Sequence, residues 1–137
     1  MKTKLDPNCI FCQIIEGKIP CYKIYEDETT LAFLDISKDV EGHTLVIPKK
    51  HQASMQDATN CTLHNVFKTV NKICKHYYAK GYTGMRIQIN SGETVGQSVH
   101  HLHVHILPTK ATQPLKEPAT KPLQINLEEL ATLLRLP

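Results

Sequence analysis

The stretch SVHHLHVHILP, residues 98–108, carries His100, His101, His103 and His105 within six positions. Single apolar residues separate the last three. On an extended strand this spacing sends His101, His103 and His105 to one face and Leu102, Val104 and Ile106 to the other. The apolar face reads as ordinary core. The histidine face admits three readings. It is a solvated polar face, although half of the eight histidines of the chain fall here and chance spreading explains that poorly. It is a metal site: imidazoles two residues apart start roughly 6.5–7 Å apart and can close on a Zn²⁺ with bonds of about 2.0–2.1 Å. The third imidazole, twice as far from the first, has trouble reaching the same ion. Or it is a nucleophilic site acting on phosphorus. A neutral imidazole near its ordinary pKa of about 6.5 can form a covalent intermediate while its neighbours hold the non-bridging oxygens. Only this last reading gives every member of the row its own task.

The whole chain narrows the setting. Its 137 residues, 41% hydrophobic and 21% charged, suit one globular domain with a real core. A net charge of +3 is compatible with anionic small ligands and too weak to argue for nucleic acid. The lysines are scattered, and the one cluster, Lys49-Lys50, reads as a solvated strand end. The opening MKTKLDPNC has no apolar leader and no run approaches a membrane span, so a cytoplasmic protein without membrane contact is expected. Five cysteines are too few and too unevenly placed for a disulfide scaffold. Cys9 and Cys12, spaced C-x2-C, are the informative pair, while Cys21, Cys61 and Cys74 read as small hydrophobes.

The elements that must position these residues follow from periodicity. Ile10, Phe11, Ile14 and Ile15 have helical spacing, with Gly17 as a terminator and Pro20 beyond. YKIYE and TLAFLD form a hairpin around Asp27-Glu28, and HTLVIP (His43 to Pro48) is a β-branched strand entered through Gly42. A long helix is expected from about Cys61 to Ala79, with Leu63, Val66, Phe67, Val70, Ile73, Cys74 and Tyr77 as one apolar stripe. MRIQIN alternates as a strand, SGETVGQ is a loop, and the histidine strand comes next. A polar, Pro-rich stretch runs from Thr109 to Pro122, and LEELATLLRL is a C-terminal amphipathic helix with Asn126 as its N-cap. Short links between the strands favour an antiparallel sheet of about five strands with the long helix packed on it: an α+β fold with short N- and C-terminal helices.

GQSVHHLHVHILP resembles the signature of the histidine triad (HIT) superfamily, His-φ-His-φ-His-φ-φ with φ apolar. CIFCQIIEGKIPCYKIYEDETTLAFLDISKDVEGHTLVIPKKH is similar to the N-terminal half of Hint-type and bacterial HIT proteins, and RIQINSGETVGQS to their penultimate strand and loop. The resemblance covers about residues 8–108. It implies an N-terminal extension over residues 1–8, a HIT domain over 9–110 and a C-terminal tail with a short helix over 111–137. It also implies a homodimer with the sheet and long helix at the interface.

The resemblance further implies roles for single residues. His103, the middle histidine, is the nucleophile that attacks the α-phosphorus of a purine nucleotide conjugate, with its other nitrogen bonded to a backbone carbonyl of its own strand. His105 and His43 contact the phosphate, and Ser98 and Gln97 hold phosphate oxygens or the leaving group. Gly96 lets the backbone approach the ligand and Asn90 contacts phosphate or sugar. Asp35 accepts from the ribose hydroxyls, and Phe11, Ile14 and Ile36 wall the base. Cys9, Cys12, His51 and His101 match a structural Zn²⁺ site, a normal Cys2His2 set. The rival redox C-x-x-C lacks a thioredoxin-like βαβ context. No organic cofactor is implied. The implied activity is hydrolysis or transfer at the α-phosphate of nucleoside 5′-phosphoramidates, with dinucleoside polyphosphate hydrolysis or nucleotide binding with little turnover as alternatives. Two departures stand out. His100 precedes the triad and is placed on the apolar side with Leu102, and Thr109-Lys110 follows HILP where many relatives have an arginine.

Overall fold

A computed structural model describes residues 5–115 and 123–137. The start of the N-terminal extension and residues 116–122 of the Pro-rich stretch lie outside the described residues. The elements are α1 (Ile10–Ile15), β1 (Lys23–Glu26), β2 (Thr30–Leu34), β3 (Thr44–Pro48), α2 (Asn60–Ala79), β4 (Gly84–Gln88), β5 (Val104–Thr109) and α3 (Leu127–Leu134), with a 3-10 turn at Glu93–Val95. The five strands form one sheet in the order β1-β2-β3-β5-β4, each neighbouring pair antiparallel. This is the α+β arrangement expected from the strand links. Among the described residues, no helix is long and apolar enough to cross a membrane.

Local chemistry sets the element boundaries. The Cys9 sulfur caps α1 by accepting from the Cys12 amide, the Thr59 side chain accepts from the Thr62 amide at the start of α2, and Asn126 accepts from Glu129 at the start of α3. The β1–β2 turn is closed by Asp27, whose carboxylate accepts from the amides of Thr29 and Thr30.

The central strands β2 and β3 are buried on both faces. Their period of two splits the core into two layers. Ala32, Leu34 and Val46, joined by Val104 and Ile106, pack against Val66, Val70, Ile73 and Tyr77 of α2 and Leu127, Leu130 and Leu134 of α3. On the opposite face Leu31, Phe33, Leu45 and Ile47 pack against Cys9, Phe11 and Cys12 from α1 and its cap. The centre of the sheet is therefore covered on both sides, and α1 closes the smaller layer.

Four expectations need correction. The buried face of α2 takes in Thr62 and Thr69, while Phe67 is 41% exposed and Leu63 and Cys74 are half-buried. Thr69 earns its core position by meeting the Thr30 hydroxyl at 2.7 Å, a polar pair that an apolar stripe cannot foresee. Cys61 is exposed in the first turn of α2 rather than packed as a small hydrophobe. Helix α3 stops at Leu134, two residues early, because the Leu136 amide donates to the Ile24 carbonyl and pulls the chain against β1. His100 is solvent-exposed beside Glu93, 3.5 Å away, and does not face the core with Leu102.

Candidate active site

The histidine row is built partly outside the ladder. Strand β5 begins at Val104, so only His105 of the row lies within it. The Leu102 amide donates to the Gln52 carbonyl at 2.7 Å, and the His101 carbonyl accepts from the Nδ1–H of His103 at 2.7 Å. These partners take up the backbone groups that a longer strand would need. A carbonyl can only accept, so the proton of neutral His103 sits on Nδ1 and the lone pair on Nε2. The ring is 7% exposed, with the Phe11 ring edge-on at 5.1 Å and the His105 ring at 5.0 Å. Burial holds the His103 pKa below the ordinary 6.5, against the opposing pull of the backbone bond and of Asp35.

His105 faces the same layer because β3–β5 pairing sets it opposite Leu45. His43 precedes β3 and is turned inward at Gly42, whose φ of +83° disfavours any side chain and where an added Cβ would meet Pro108 at 2.9 Å. The Nδ1–H of His43 donates to Asp39 Oδ1 at 2.7 Å, and its Nε2 lies 2.9 Å from His105 Nδ1. Asp35 Oδ2 stands 3.8 Å from His43 Nε2, while its Oδ1 accepts from the Ser37 amide. Burial, with His103 and His43 adding to it, takes the His105 pKa down to about 4. Burial also opposes the Asp39 carboxylate, but hydrogen bonds from His43, Ser37 and Val40 outweigh it and hold its pKa below the usual carboxylate range.

Asp39 was not among the residues singled out from the sequence. The one signal is its spacing, D-x-x-x-H, in a loop where neither helical nor strand periodicity applies.

The other candidates lie around this centre. Phe11 is buried with its ring also edge-on to Phe33 and His101, and Ile14 is half-buried in the same layer. Ile36 is 76% exposed beside Asp35. Asn90, Gly96 and Ser98 lie on the β4–β5 connection; none of them hydrogen-bonds a histidine of the row among the described residues. Gly96 has a φ of +89° and open space about it, so backbone conformation rather than close approach selects glycine there. Gln97 is buried, and its carboxamide accepts from the Gly92 amide and donates to the Ala53 and Val99 carbonyls. In this structure that side chain braces the loop.

A second cluster lies at the other end of the row. His101 Nδ1 is 3.4 Å from Cys9 Sγ, 3.5 Å from Cys12 Sγ and 3.2 Å from His51 Nδ1, and His51 Nδ1 is 3.2 Å from Cys12 Sγ. The Nε2–H of His101 donates to the Pro48 carbonyl at 2.8 Å, which leaves the Nδ1 lone pair pointing into the cluster. A tetrahedron with Zn–S bonds of about 2.3 Å and Zn–N bonds of about 2.0–2.1 Å has S···N edges of about 3.5 Å and N···N edges of about 3.3 Å. The donor spacings match those edges. Amides of Asp6 and Cys12 point at the two sulfurs, as suits thiolates. Burial otherwise pushes the Cys12 thiol up to about 11 and the His101 imidazole down to about 4, and a bound cation would reverse the balance for the thiol. The residues present fit a structural zinc ion.

Comparison with known proteins agrees with this picture. The family model for the HIT domain matches residues 16–112. An adenosine 5′-monophosphoramidase of Schizosaccharomyces pombe is 40% identical over 101 residues, which cover 74% of this chain and 74% of that protein. An adenylylsulfatase of Arabidopsis thaliana is 36% identical over 112 residues, covering 79% of this chain and 55% of that protein. A Zn-bound histidine triad family protein from Mycobacterium smegmatis superposes with a TM-score of 0.81 at 33% identity, covering 93% of this chain and 91% of that one.

Proposed function

This chain belongs to the HIT domain family, whose members similar to it include nucleotide hydrolases, and on that premise we propose that it cleaves the α-phosphate bond of purine nucleoside 5′-phosphoramidates through a nucleotidyl-His103 intermediate. The observation that carries this reading is the bond from His103 Nδ1–H to the His101 carbonyl, which leaves Nε2 unprotonated. In the first step Nε2 forms a bond to the α-phosphorus as the bond to the leaving nitrogen breaks, and that nitrogen takes a proton from solvent to depart as the amine. In the second, water attacks the same phosphorus and gives up a proton to solvent, the electron pair of the broken N–P bond returns to Nε2, and the nucleoside monophosphate is released. His105 steadies the non-bridging oxygens, and His43, whose two ring nitrogens are taken up by Asp39 and His105, acts behind it. In this reading Asp35 accepts from the ribose hydroxyls, Ile36, Ile14 and Phe11 wall the base, Ser98 and Gln97 serve phosphate oxygens or the leaving group, Gly96 lets the backbone approach the ligand, and Asn90 contacts phosphate or sugar.

His103→Ala should lower kcat/KM for adenosine 5′-phosphoramidate at least a thousandfold and leave AMP binding measurable by calorimetry. Retained turnover would remove the mechanism. Tight binding by a wild-type protein without turnover would favour a binding module, and preferential turnover of a dinucleoside polyphosphate would change the substrate. The pH dependence has a definite sign. A lowered His103 pKa keeps the ring neutral down to that pKa, and activity is lost as pH falls through it. The acid limb of kcat/KM should therefore lie below pH ~6.5. A limb at or above that value would contradict a buried neutral nucleophile.

We also propose that Cys9, Cys12, His51 and His101 hold one structural zinc ion, which would tie α1 to the end of β3 and the segment before β5. Elemental analysis should give about one zinc per chain, and Cys9→Ser should release it and lower the melting temperature. Metal-free protein with unchanged melting would exclude the site. A homodimer accounts for two exposed features, Phe67 on the outer side of α2 and Ile87 on β4, an edge strand of the sheet. Sedimentation should give twice the monomer mass, and Phe67→Lys should halve it; a monomeric wild type would exclude the dimer.

A further inference from the structure

We infer that Asp39, His43 and His105 form a proton relay in which the Asp39 carboxylate decides whether His105 meets the phosphoryl group as a hydrogen-bond donor or an acceptor. This rests on the phosphoryl-transfer reading of the site and makes Asp39 a positioning residue, acting through His43. Two consecutive short contacts define the relay: His43 Nδ1 to Asp39 Oδ1 at 2.7 Å and His43 Nε2 to His105 Nδ1 at 2.9 Å.

The contacts allow two proton arrangements. With both rings neutral, His43 gives its only proton to Asp39, so its Nε2 must accept from the Nδ1–H of His105. His105 Nε2 then carries a lone pair, which repels a phosphoryl oxygen. One more proton changes every link. His43 becomes an imidazolium and donates from Nε2 to His105 Nδ1, and neutral His105 carries its proton on Nε2, where it can donate to the oxygen. An arriving phosphoryl anion thus draws one proton from solvent into the relay, and the positive charge rests on His43.

Four titratable groups face His43. Asp39 and Asp35 face it from the β2–β3 loop, and the groups facing it from the β5 side are His105 and His103. Asp39 is held ready: its Oδ1 accepts from the Ser37 hydroxyl at 2.9 Å and from the Val40 amide at 2.8 Å as well as from His43. The relay also answers a difficulty at His105. Burial makes that ring hard to charge, yet a phosphate contact needs a donor. Placing the charge on the neighbouring ring supplies the donor while His105 stays neutral.

All three bonds to Asp39 fall on Oδ1, so Asp39→Asn can keep each of them and lose only the charge. Asp39→Leu loses both. We expect kcat/KM for adenosine 5′-phosphoramidate in Asp39→Asn to fall about tenfold at pH 7.5, with the alkaline limb displaced by about one pH unit toward lower pH and the acid limb in place. AMP affinity, measured by calorimetry above pH 7 where the phosphate is dianionic, should show the same displacement. If Asp39 only pins the loop, Asp39→Asn keeps the wild-type limb and affinity profile, while Asp39→Leu is weakened evenly at every pH; that result overturns the relay. The AMP measurement needs no turnover. A wild type that binds AMP with the Asp39-dependent profile but does not react would spare the relay and sink the His103 mechanism.

Discussion

Ahead of β5, outside the ladder, the carbonyl of His101 accepts from the imidazole of His103. Much of the site follows from that bond. The strand starts only at Val104, and the segment before it needs other anchors. It finds them in the stretch after β3: Leu102 donates to Gln52, and the His101 ring donates to the Pro48 carbonyl. These bonds stand in for a ladder there. The same bond fixes the tautomer of His103 without placing an ionised partner beside it, so the ring is oriented and still neutral.

The rule repeats through the cluster. Each buried imidazole has one nitrogen held by a fixed partner and the other turned toward a neighbouring ring, the cysteine cluster or the site. His101 gives Nε2–H to Pro48 and turns Nδ1 toward Cys9, Cys12 and His51. His103 gives Nδ1–H to a carbonyl and keeps Nε2 free. His43 gives Nδ1–H to Asp39 and turns Nε2 to His105. A polar group taken from water costs least when it is hydrogen-bonded on entry. The bonds that offset the desolvation are therefore the bonds that assign each ring its task. The thin layer on the α1 side can hold this much polarity because the larger apolar layer, under α2 and α3, lies across the sheet.

What could be read from the sequence divides along the same physical line. Features carried by period were legible: the five strands, the long helix, the antiparallel sheet and the inward side of His103 and His105. The C-x2-C pair was legible as chemistry because cysteine spacing survives any fold. Features carried by a single tertiary bond were not. Nothing local to His101 says that its carbonyl will leave the ladder. Nothing in α2 says that Thr69 will replace an apolar neighbour by meeting Thr30. Asp39 sits in an irregular loop, where no face can be assigned before the loop is closed by Gly42. Gln97 lies beside the row and reads as a ligand contact, yet its carboxamide is engaged by three backbone groups of the surrounding loops.

The site is graded from centre to rim. His103 and His43 are nearly enclosed, and their rings are fixed by hydrogen bonds to partners that are themselves packed or bonded. Ile36 and Ser98 stand on exposed backbone outside any strand or helix. Reacting atoms tolerate little displacement, so a nucleophile belongs on enclosed, over-determined structure. Loop residues such as these can change without disturbing the core. The far end of β5, past the last histidine, obeys that division: the Thr109 hydroxyl donates to the Gly84 carbonyl of β4, away from the row.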